Sequence, residues 1–266
     1  MTGDKDSLWL KRYRDNGDAL LTLVCFSYAG GGASVFRDWP AALPPPVNLF
    51  AVQLPGRESR LREPPFQKMS DLVAAIGPVI AEQVPAPFAF FGHSMGALVS
   101  FELTRYLRRE CGLEPLHLFV SGRQGPHLPG RLAPIHALPD DEFKAGLKRF
   151  NGTPQEVLDN PELMELLAPI LRSDLAVCET YLFSEEPPLS CPITMFAGSE
   201  DPGVHPSDLE SWSGLTTERF AVHLTEGDHF FLRTKRSWLL DKLSGDLMGL
   251  VTQQRLNSSA NIFSRF

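Results

Sequence analysis

The stretch Phe88-Ala-Phe-Phe-Gly-His-Ser-Met-Gly96 decides the fold of this chain. An apolar run that suits a buried strand ends in the pattern G-x-S-x-G, and a helix-forming run at residues 97–107 follows at once. This order is typical of a nucleophile elbow, in which a serine in a tight strand-to-helix turn exposes its hydroxyl. Gly92 and Gly96 would leave the space that the turn requires. The pattern predicts Ser94 as a catalytic nucleophile, and the alternative is an ordinary loop serine.

The composition narrows the class of protein. With 266 residues, 43% of them hydrophobic and 21% charged, the chain can bury a large core as one domain, residues 1–266. The formal charge of −7 argues against a nucleic-acid binder. No apolar run is long enough to predict a membrane span, and the polar N-terminus lacks the core of a signal peptide. The four cysteines are scattered, so we expect no metal site and a reducing cytoplasm.

Apolar runs and helical patterns alternate along most of the chain. The predicted strands are residues 20–26, 49–54, 88–91, 116–120, 193–197 and 220–224. The predicted helices are residues 34–43, 71–83 with Ser70 as N-cap, 97–107 and about 235–251. This alternation predicts an α/β fold with a mostly parallel central sheet and helices on both faces. Residues 1–18 are expected to form a polar lead-in, and about 255–266 a polar, frayed tail.

The segment from about 122 to 188 breaks this rhythm, because it contains helical patterns and no strand-like run. An amphipathic helix is expected after Pro139, and Asn160-Pro161 marks the start of another. A helical insertion between two strands is typical of a lid over the carboxyl edge of the sheet. The alternative is a helical layer with no mobile role.

The partners of Ser94 should also follow strands, because active sites of such sheets lie outside the carboxyl ends of the strands. His229 follows the last predicted strand and is the candidate base, while Asp201 follows the strand before it and is the candidate orienting acid. Glu200 is the closest alternative acid. The other acids considered are Asp174, Asp208 and Asp228. The order Ser94, Asp201, His229 is that of an α/β-hydrolase triad.

A glycine-rich stretch, Ser27-Tyr-Ala-Gly-Gly-Gly-Ala-Ser34, follows the first predicted strand. Its glycines allow main-chain N–H groups to approach a substrate closely. We therefore predict an oxyanion hole formed by the N–H groups of Met95 and Ala29. One alternative is a phosphate-binding loop, although the Gly-Lys-Ser/Thr sequence of such loops is missing, and another is a plain connector.

Six motifs strengthen this interpretation when taken together, and the resemblance that they carry runs from about Trp9 to Met248. They are Cys25-Phe-Ser-Tyr-Ala-Gly-Gly-Gly32, Gln53-Leu-Pro-Gly-Arg57, Phe90-Phe-Gly-His-Ser-Met-Gly96, Leu171-Arg-Ser-Asp174, Ala197-Gly-Ser-Glu-Asp201 and Gly227-Asp-His-Phe230. Jointly they resemble the type II thioesterases, the stand-alone editing enzymes of nonribosomal peptide and polyketide synthases. Ser27 departs from the family pattern, where proline is more frequent. The resemblance also implies that Ala29 and Met95 form the oxyanion hole.

The resemblance implies that the enzyme hydrolyses acyl thioesters on the phosphopantetheine arm of carrier proteins and needs no cofactor of its own. The alternatives are an esterase or amidase, a medium-chain fatty acyl thioesterase, and a non-catalytic interaction partner of a synthase. We expect a monomer in the cytoplasm.

Carrier proteins are acidic, as this chain is, so docking would need a local basic patch. One candidate patch consists of Arg57, Arg60 and Arg62, and another of Lys144, Lys148 and Arg149. A solvated charged face is the alternative explanation of each.

Overall fold

A seven-stranded sheet forms the centre of the computed structural model, which describes residues 8–150 and 155–263. The strands are β1 (Leu10–Arg14), β2 (Leu21–Phe26), β3 (Val47–Val52), β4 (Phe88–His93), β5 (Leu118–Ser121), β6 (Ile193–Gly198) and β7 (Phe220–Thr225). Their order in space is β1-β3-β2-β4-β5-β6-β7. β1 runs antiparallel to β3, and each other neighbouring pair is parallel. The predicted, mostly parallel sheet is confirmed.

The α-helices of the described residues lie after β3, β4, β5 and β7. They are α1 (Met69–Gln83), α2 (Met95–Cys111), α3 (Asp140–Phe150), α4 (Gln155–Leu158), α5 (Pro161–Glu179), α6 (Phe231–Thr234) and α7 (Arg236–Phe263). None of the helices in these ranges has the length and apolar character needed to cross a bilayer.

Each face of the sheet has its own core, because successive side chains of a strand point to opposite faces. Val24 and Phe90 belong to the core that contains the apolar sides of α1 and α2. Leu23 and Phe91 belong to the other core, which contains the apolar side of α7. With both faces covered, the central strands are continuous apolar runs rather than alternating ones. The predicted helices on both faces are confirmed.

The prediction of a lead-in without regular structure is wrong for β1. Leu10 lies opposite Val52 and Arg12 opposite Phe50, so this segment is one of the two edge strands of the sheet. Its sequence, Leu-Lys-Arg-Tyr-Arg, lacks the apolar run of the inner strands because only one of its faces is covered. The Arg12 guanidinium lies over the Phe50 ring, 5.0 Å from its centroid.

Two details of the predicted helices are also wrong. In place of one helix over residues 34–43 there are two short 3-10 helices, Ala33–Phe36 and Trp39–Ala41, and Pro40 is the second residue of the latter. Proline has no N–H for a continuing helical ladder, which explains the break. Helix α1 begins at Met69 with Lys68 as its N-cap, so Ser70 is not the cap.

The predicted frayed tail is helical over most of its length. Helix α7 continues to Phe263, and the last three residues lie outside the described ranges. Residues 250–263 contain neither glycine nor proline. Polar residues alone do not end a helix, which is why the polar composition was misleading here.

The helical insertion lies between β5 and β6 and consists of α3, α4 and α5 with their connections. No strand occurs in its described residues, 122–150 and 155–188, as the sequence predicted. It has a small core of its own, formed by Ile135, Phe143, Leu147, Leu158, Met164 and Leu171. Its role as a lid, and the single-domain organisation, stay predictions.

Candidate active site

The elbow begins with an unusual backbone conformation at Ser94. Its φ is 56° and its ψ is −113°, values that a residue with a side chain rarely adopts. The Ser94 N–H donates to the Ser121 carbonyl of β5 at 2.8 Å. A Cβ atom at Gly92 would lie 2.1 Å from the Gly96 carbonyl oxygen, and one at Gly96 would lie 2.1 Å from the Phe26 carbonyl oxygen. Close main-chain packing therefore requires glycine at both positions of G-x-S-x-G.

We expect Gly96→Ala to lower the free energy of unfolding by about 1–3 kcal/mol or more, because its methyl group would overlap backbone atoms that cannot rotate away. Urea denaturation of the purified variant measures this. Gly249→Ala is the matched control, since a Cβ there meets nothing within 4 Å. That change, in α7, should stabilise the protein by up to about 1 kcal/mol. Wild-type stability of Gly96→Ala would contradict the packing argument.

A continuous chain of hydrogen bonds joins Ser94, His229 and Asp201. His229 Nε2 lies 2.9 Å from Ser94 Oγ, and His229 Nδ1 lies 2.7 Å from Asp201 Oδ2. Asp201 Oδ1 accepts the Gly203 N–H at 2.8 Å, which fixes the carboxylate. Both His229 and Asp201 are buried. The structure thus brings together a hydroxyl, a base and an orienting acid from the ends of β4, β7 and β6.

The alternative acids are engaged elsewhere or face solvent. Glu200 is exposed. Asp208 forms a two-pronged ion pair with Arg131, whose hydrogen bonds hold the pKa of Asp208 near 2. Asp228 Oδ1 accepts the Phe230 N–H at 2.8 Å. In the part of the chain that the structure describes, no group of three or more His, Cys, Asp and Glu could hold a metal ion.

His93 lies beside this chain, with its ring centroid 5.1 Å from that of His229. Its Nδ1 is 2.9 Å from Ser121 Oγ. Burial lowers the pKa of His93 well below its usual range, and the neighbouring His229 lowers it further. His93 is therefore neutral, and it places no positive charge next to the imidazolium that His229 would form as a base.

Two main-chain N–H groups are available near Ser94. Strands β2 and β4 are neighbours with Phe26 opposite Gly92, so the turns that follow them lie side by side. Met95 opens α2, and Ala29 lies in residues 27–34, which we call the glycine loop. Among the described residues, neither N–H donates to a protein acceptor. Their assignment as oxyanion donors is compatible with this geometry and stays a prediction.

Side chains from three parts of the chain hold the glycine loop. Ser27 Oγ donates to the Gly31 carbonyl at 2.7 Å, so the serine that departs from the family pattern supplies its own restraint. Arg57 Nη1 donates to the same carbonyl at 3.2 Å. The Gly30 N–H donates to Asp174 Oδ2 at 2.7 Å. Asp174 belongs to α5, so the helical insertion contacts the loop directly.

The candidate docking patch of Arg57, Arg60 and Arg62 does not form an exposed basic surface, and neither do these residues form a solvated charged face. Arg57 and Arg60 are each only 5% exposed. Arg57 binds both carboxylate oxygens of Asp174, at 2.6 and 2.7 Å. Arg60 binds both oxygens of Glu63 and lies over the Trp9 ring, 4.0 Å from its centroid. Of the three arginines only Arg62 is exposed, and its role in docking stays a prediction.

Sequence reasoning missed the partner of Arg57, although a signal was present. Asp174 lies three residues after Leu171 and four before Cys178, on the apolar side of its helix. An acid at such a position is rarely buried without a cationic partner. Asp174 closes one of the six family motifs and was also weighed as an acid for His229, and the structure pairs it with Arg57.

A cavity of about 1030 Å³ opens at Ser94 and His229. The glycine loop and the helical insertion, including its first residues after β5, form most of its walls. Its apolar lining from the insertion includes Leu147, Val157, Leu166, Leu167, Ile170, Leu171 and Leu175. Cys178 also lines it, but burial raises the pKa of this thiol to about 11, so it is not a competing nucleophile at neutral pH. The site is a hydroxyl at the mouth of a large, mainly apolar space.

The fold and the arrangement of Ser94, His229 and Asp201 define a protein of the α/β-hydrolase class. The model of the Thioesterase domain family matches residues 21–247, and the chain belongs to this family. It is a thioesterase, and the resemblance to type II thioesterases is confirmed.

Similar proteins come from biosynthetic pathways. The protein named linear gramicidin dehydrogenase LgrE, from Brevibacillus parabrevis, is 42% identical over 94% of this chain and 96% of its own. The RedJ thioesterase from the prodiginine pathway of Streptomyces coelicolor is 40% identical, with a TM-score of 0.81 over 87% of this chain and 92% of that one. The type II thioesterase BorB from the borrelidin cluster is 34% identical, with a TM-score of 0.81 over 91% and 98%.

Proposed function

We propose that this enzyme hydrolyses acyl thioesters on the phosphopantetheine arm of carrier proteins and so clears misprimed or stalled synthases. The observation that carries the proposal is the hydrogen-bonded chain from Asp201 through His229 to Ser94 at the mouth of the cavity. The membership of the thioesterase family and the pathways of RedJ and BorB support the substrate class.

The first half of the reaction forms an acyl-enzyme. His229 Nε2 accepts the proton of Ser94 Oγ as this oxygen attacks the thioester carbonyl. The N–H groups of Met95 and Ala29 stabilise the negative charge that develops on the carbonyl oxygen. The tetrahedral intermediate collapses with cleavage of the C–S bond, and the imidazolium of His229 protonates the departing pantetheine thiolate.

The second half releases the acid. His229 Nε2 accepts a proton from a water molecule, whose oxygen attacks the ester carbonyl of acyl-Ser94. Collapse of the second intermediate cleaves the bond to Ser94 Oγ, which takes its proton back from His229. Asp201 holds the proton of His229 on Nδ1 throughout and stabilises the charged imidazolium. This chemistry requires no cofactor of the enzyme's own, and the absence of one stays a prediction.

The cavity favours an acyl group of substantial size. Its apolar walls belong largely to the helical insertion, so we propose that this segment selects which acyl groups reach Ser94. The same walls fit the alternative of a medium-chain fatty acyl thioesterase. The proposed editing enzyme and a medium-chain fatty acyl thioesterase would differ in the carrier of the acyl group, and not in the chemistry at Ser94.

The name of LgrE denotes a dehydrogenase, which is a different chemistry. A dinucleotide site would need G-x-G-x-x-G between a strand and a helix whose N-terminus holds the pyrophosphate. Here the glycine loop leads from β2 into the 3-10 helix Ala33–Phe36, only four residues long. In the glycine loop, the Gly31 carbonyl and the Gly30 N–H are already hydrogen-bonded to protein side chains. These features favour the hydrolase.

The proposal is tested with one series of acyl groups, from acetyl upward, each presented as a carrier-protein thioester and as a simple ester. We expect kcat/KM for the carrier thioester to exceed that for the matched ester at every chain length. Release of the free thiol measures hydrolysis of the thioester, and release of the acid measures hydrolysis of the ester. A consistent preference for the esters would favour an esterase, and no turnover of either series would favour a non-catalytic partner of a synthase.

The remaining expectations concern the setting of the enzyme. We propose that it works as a monomer in the cytoplasm, where carrier proteins of a synthase are its partners. The four cysteines among the described residues are unpaired, which suits a reducing compartment.

A further inference from the structure

We propose that Arg57 and Asp174 are positioning residues for the oxyanion hole, because together they hold the glycine loop where the Ala29 N–H meets the substrate oxygen. The inference rests on the proposed hydrolysis at Ser94 and goes beyond it. It gives a role to the buried Arg57 and to an acid of the helical insertion.

The pair is anchored to the loop at two neighbouring residues. Asp174 Oδ2 accepts both Arg57 Nη1, at 2.6 Å, and the Gly30 N–H, at 2.7 Å. Asp174 Oδ1 accepts Arg57 Nη2 at 2.7 Å. Arg57 Nη1 also donates to the Gly31 carbonyl at 3.2 Å. The loop is thus held by its N–H at one residue and by its carbonyl at the next.

These contacts determine the direction of the Ala29 N–H. The Gly31 N–H donates to the Tyr28 carbonyl at 2.8 Å and closes a tight turn. Gly30 has a φ of 80° at the third position of this turn, as a type II turn requires. In a trans peptide the carbonyl and the next N–H point in opposite directions. Because the Tyr28 carbonyl points toward Gly31, the Ala29 N–H points away from Gly31. The turn keeps this geometry only while Gly30 and Gly31 are held in place.

The pair also links the loop to the wall of the cavity. Asp174 lies on α5, which contributes Leu171 and Leu175 to the cavity lining. A Cβ atom at Gly30 would lie 2.6 Å from Leu171 Cδ2, so this leucine packs directly on the loop. The helix that contacts the acyl group therefore also sets the place of one oxyanion donor. A buried ion pair gives little net stability, which favours a role in fixing one loop conformation.

The variants Arg57→Lys and Asp174→Asn test the proposal. Lysine keeps the positive charge but loses the planar guanidinium that binds both carboxylate oxygens. Asparagine places an amide N–H₂ where Asp174 accepts hydrogen bonds from Arg57 and Gly30. We expect kcat for a carrier-bound acyl thioester to fall about 10- to 100-fold, as small displacements of catalytic groups do, with KM changed less than about threefold. Stopped-flow or steady-state thiol release measures both constants.

A pair of inhibitors separates positioning from a general structural effect. An acyl-chain trifluoromethyl ketone forms a tetrahedral adduct with Ser94 Oγ and needs the oxyanion hole, whereas the matched alkyl thioether has no carbonyl oxygen. We expect the variants to lose affinity for the ketone about as much as they lose kcat, and to bind the thioether as the wild type does. Equal losses for both ligands, or none for the ketone, would overturn the proposal.

Arg60→Lys is the matched control. Arg60 has the same 5% exposure as Arg57 and a similar two-pronged carboxylate partner. Within the described residues its side chain donates to Glu63 and to the Gln53 carbonyl, and not to the glycine loop. We expect its kcat to stay within about threefold of the wild type. If a single variant does not fold, the double variant Arg57→Gln with Asp174→Asn leaves no unpaired charge. Its affinities for the ketone and the thioether then test the proposal in the same way. If the wild type binds the ketone but hydrolyses no thioester, the proposed substrate fails while the positioning test remains valid.

Discussion

Ser94→Ala is expected to stay folded and to lose thioester hydrolysis by on the order of 10⁴-fold or more. The change removes the single oxygen that attacks the carbonyl and that lies 2.9 Å from His229 Nε2. It leaves the glycines of the elbow and the backbone bond to Ser121 in place. Thiol release from an acyl-carrier substrate measures the rate, and thermal unfolding with circular dichroism checks the fold.

Ser237→Ala is the control for this change, because Ser237 is an exposed serine of α7. Its activity and its stability should match those of the wild type. Wild-type activity of Ser94→Ala, in a sample free of other hydrolases, would refute the assignment of the nucleophile.

Asp201→Asn is expected to lower kcat by about 10³- to 10⁴-fold with little effect on the fold. The reason lies in the two hydrogen bonds of the carboxylate. Gly203 donates to Oδ1 at 2.8 Å, so an asparagine would turn its oxygen to Gly203 and its amide N–H₂ toward His229 Nδ1. His229 would then carry its proton on Nε2, where it cannot accept the proton of Ser94.

Glu200→Gln provides the comparison for the orienting acid. Glu200 is adjacent in sequence and was the closest alternative, but its side chain is exposed. We expect this variant to keep wild-type kcat and KM. A large loss in Glu200→Gln together with an active Asp201→Asn would exchange the roles of the two acids.

The arrangement at Ser94 was readable from the sequence because each residue follows a strand with a clear apolar signal. Parallel strands bring their carboxyl ends to one edge of the sheet, so Asp201 and His229 could be placed near Ser94 without knowing any loop. The G-x-S-x-G pattern added the position of Ser94 itself, since the turn has room only for glycine at its flanks. Their catalytic roles stay predictions until the variants are measured.

The positions of charged residues predicted burial less well than apolar periodicity did. Arg57 and Arg60 occur in a run of charged residues that is typical of a solvated surface, yet both are buried. The partner of Arg57 is 117 residues away in the sequence. No local pattern joins residues so far apart, because their meeting depends on how the helical insertion packs on the glycine loop. Strand β1 was missed for a related reason, since its pairing with β3 compensates for a weak local signal.

The sequence by itself determined six of the seven strands, the helices on both faces, and the residues Ser94, His229 and Asp201 that the hydrogen bonds join. Hydrophobic periodicity and the steric need for glycine involve residues that are close in the sequence. They can therefore be recognised from the sequence alone. Only the tertiary structure decided what surrounds them: the cavity under the helical insertion and the burial of Arg57 against Asp174. Those features depend on long-range packing and on the desolvation of a charge, which the order of residues does not display.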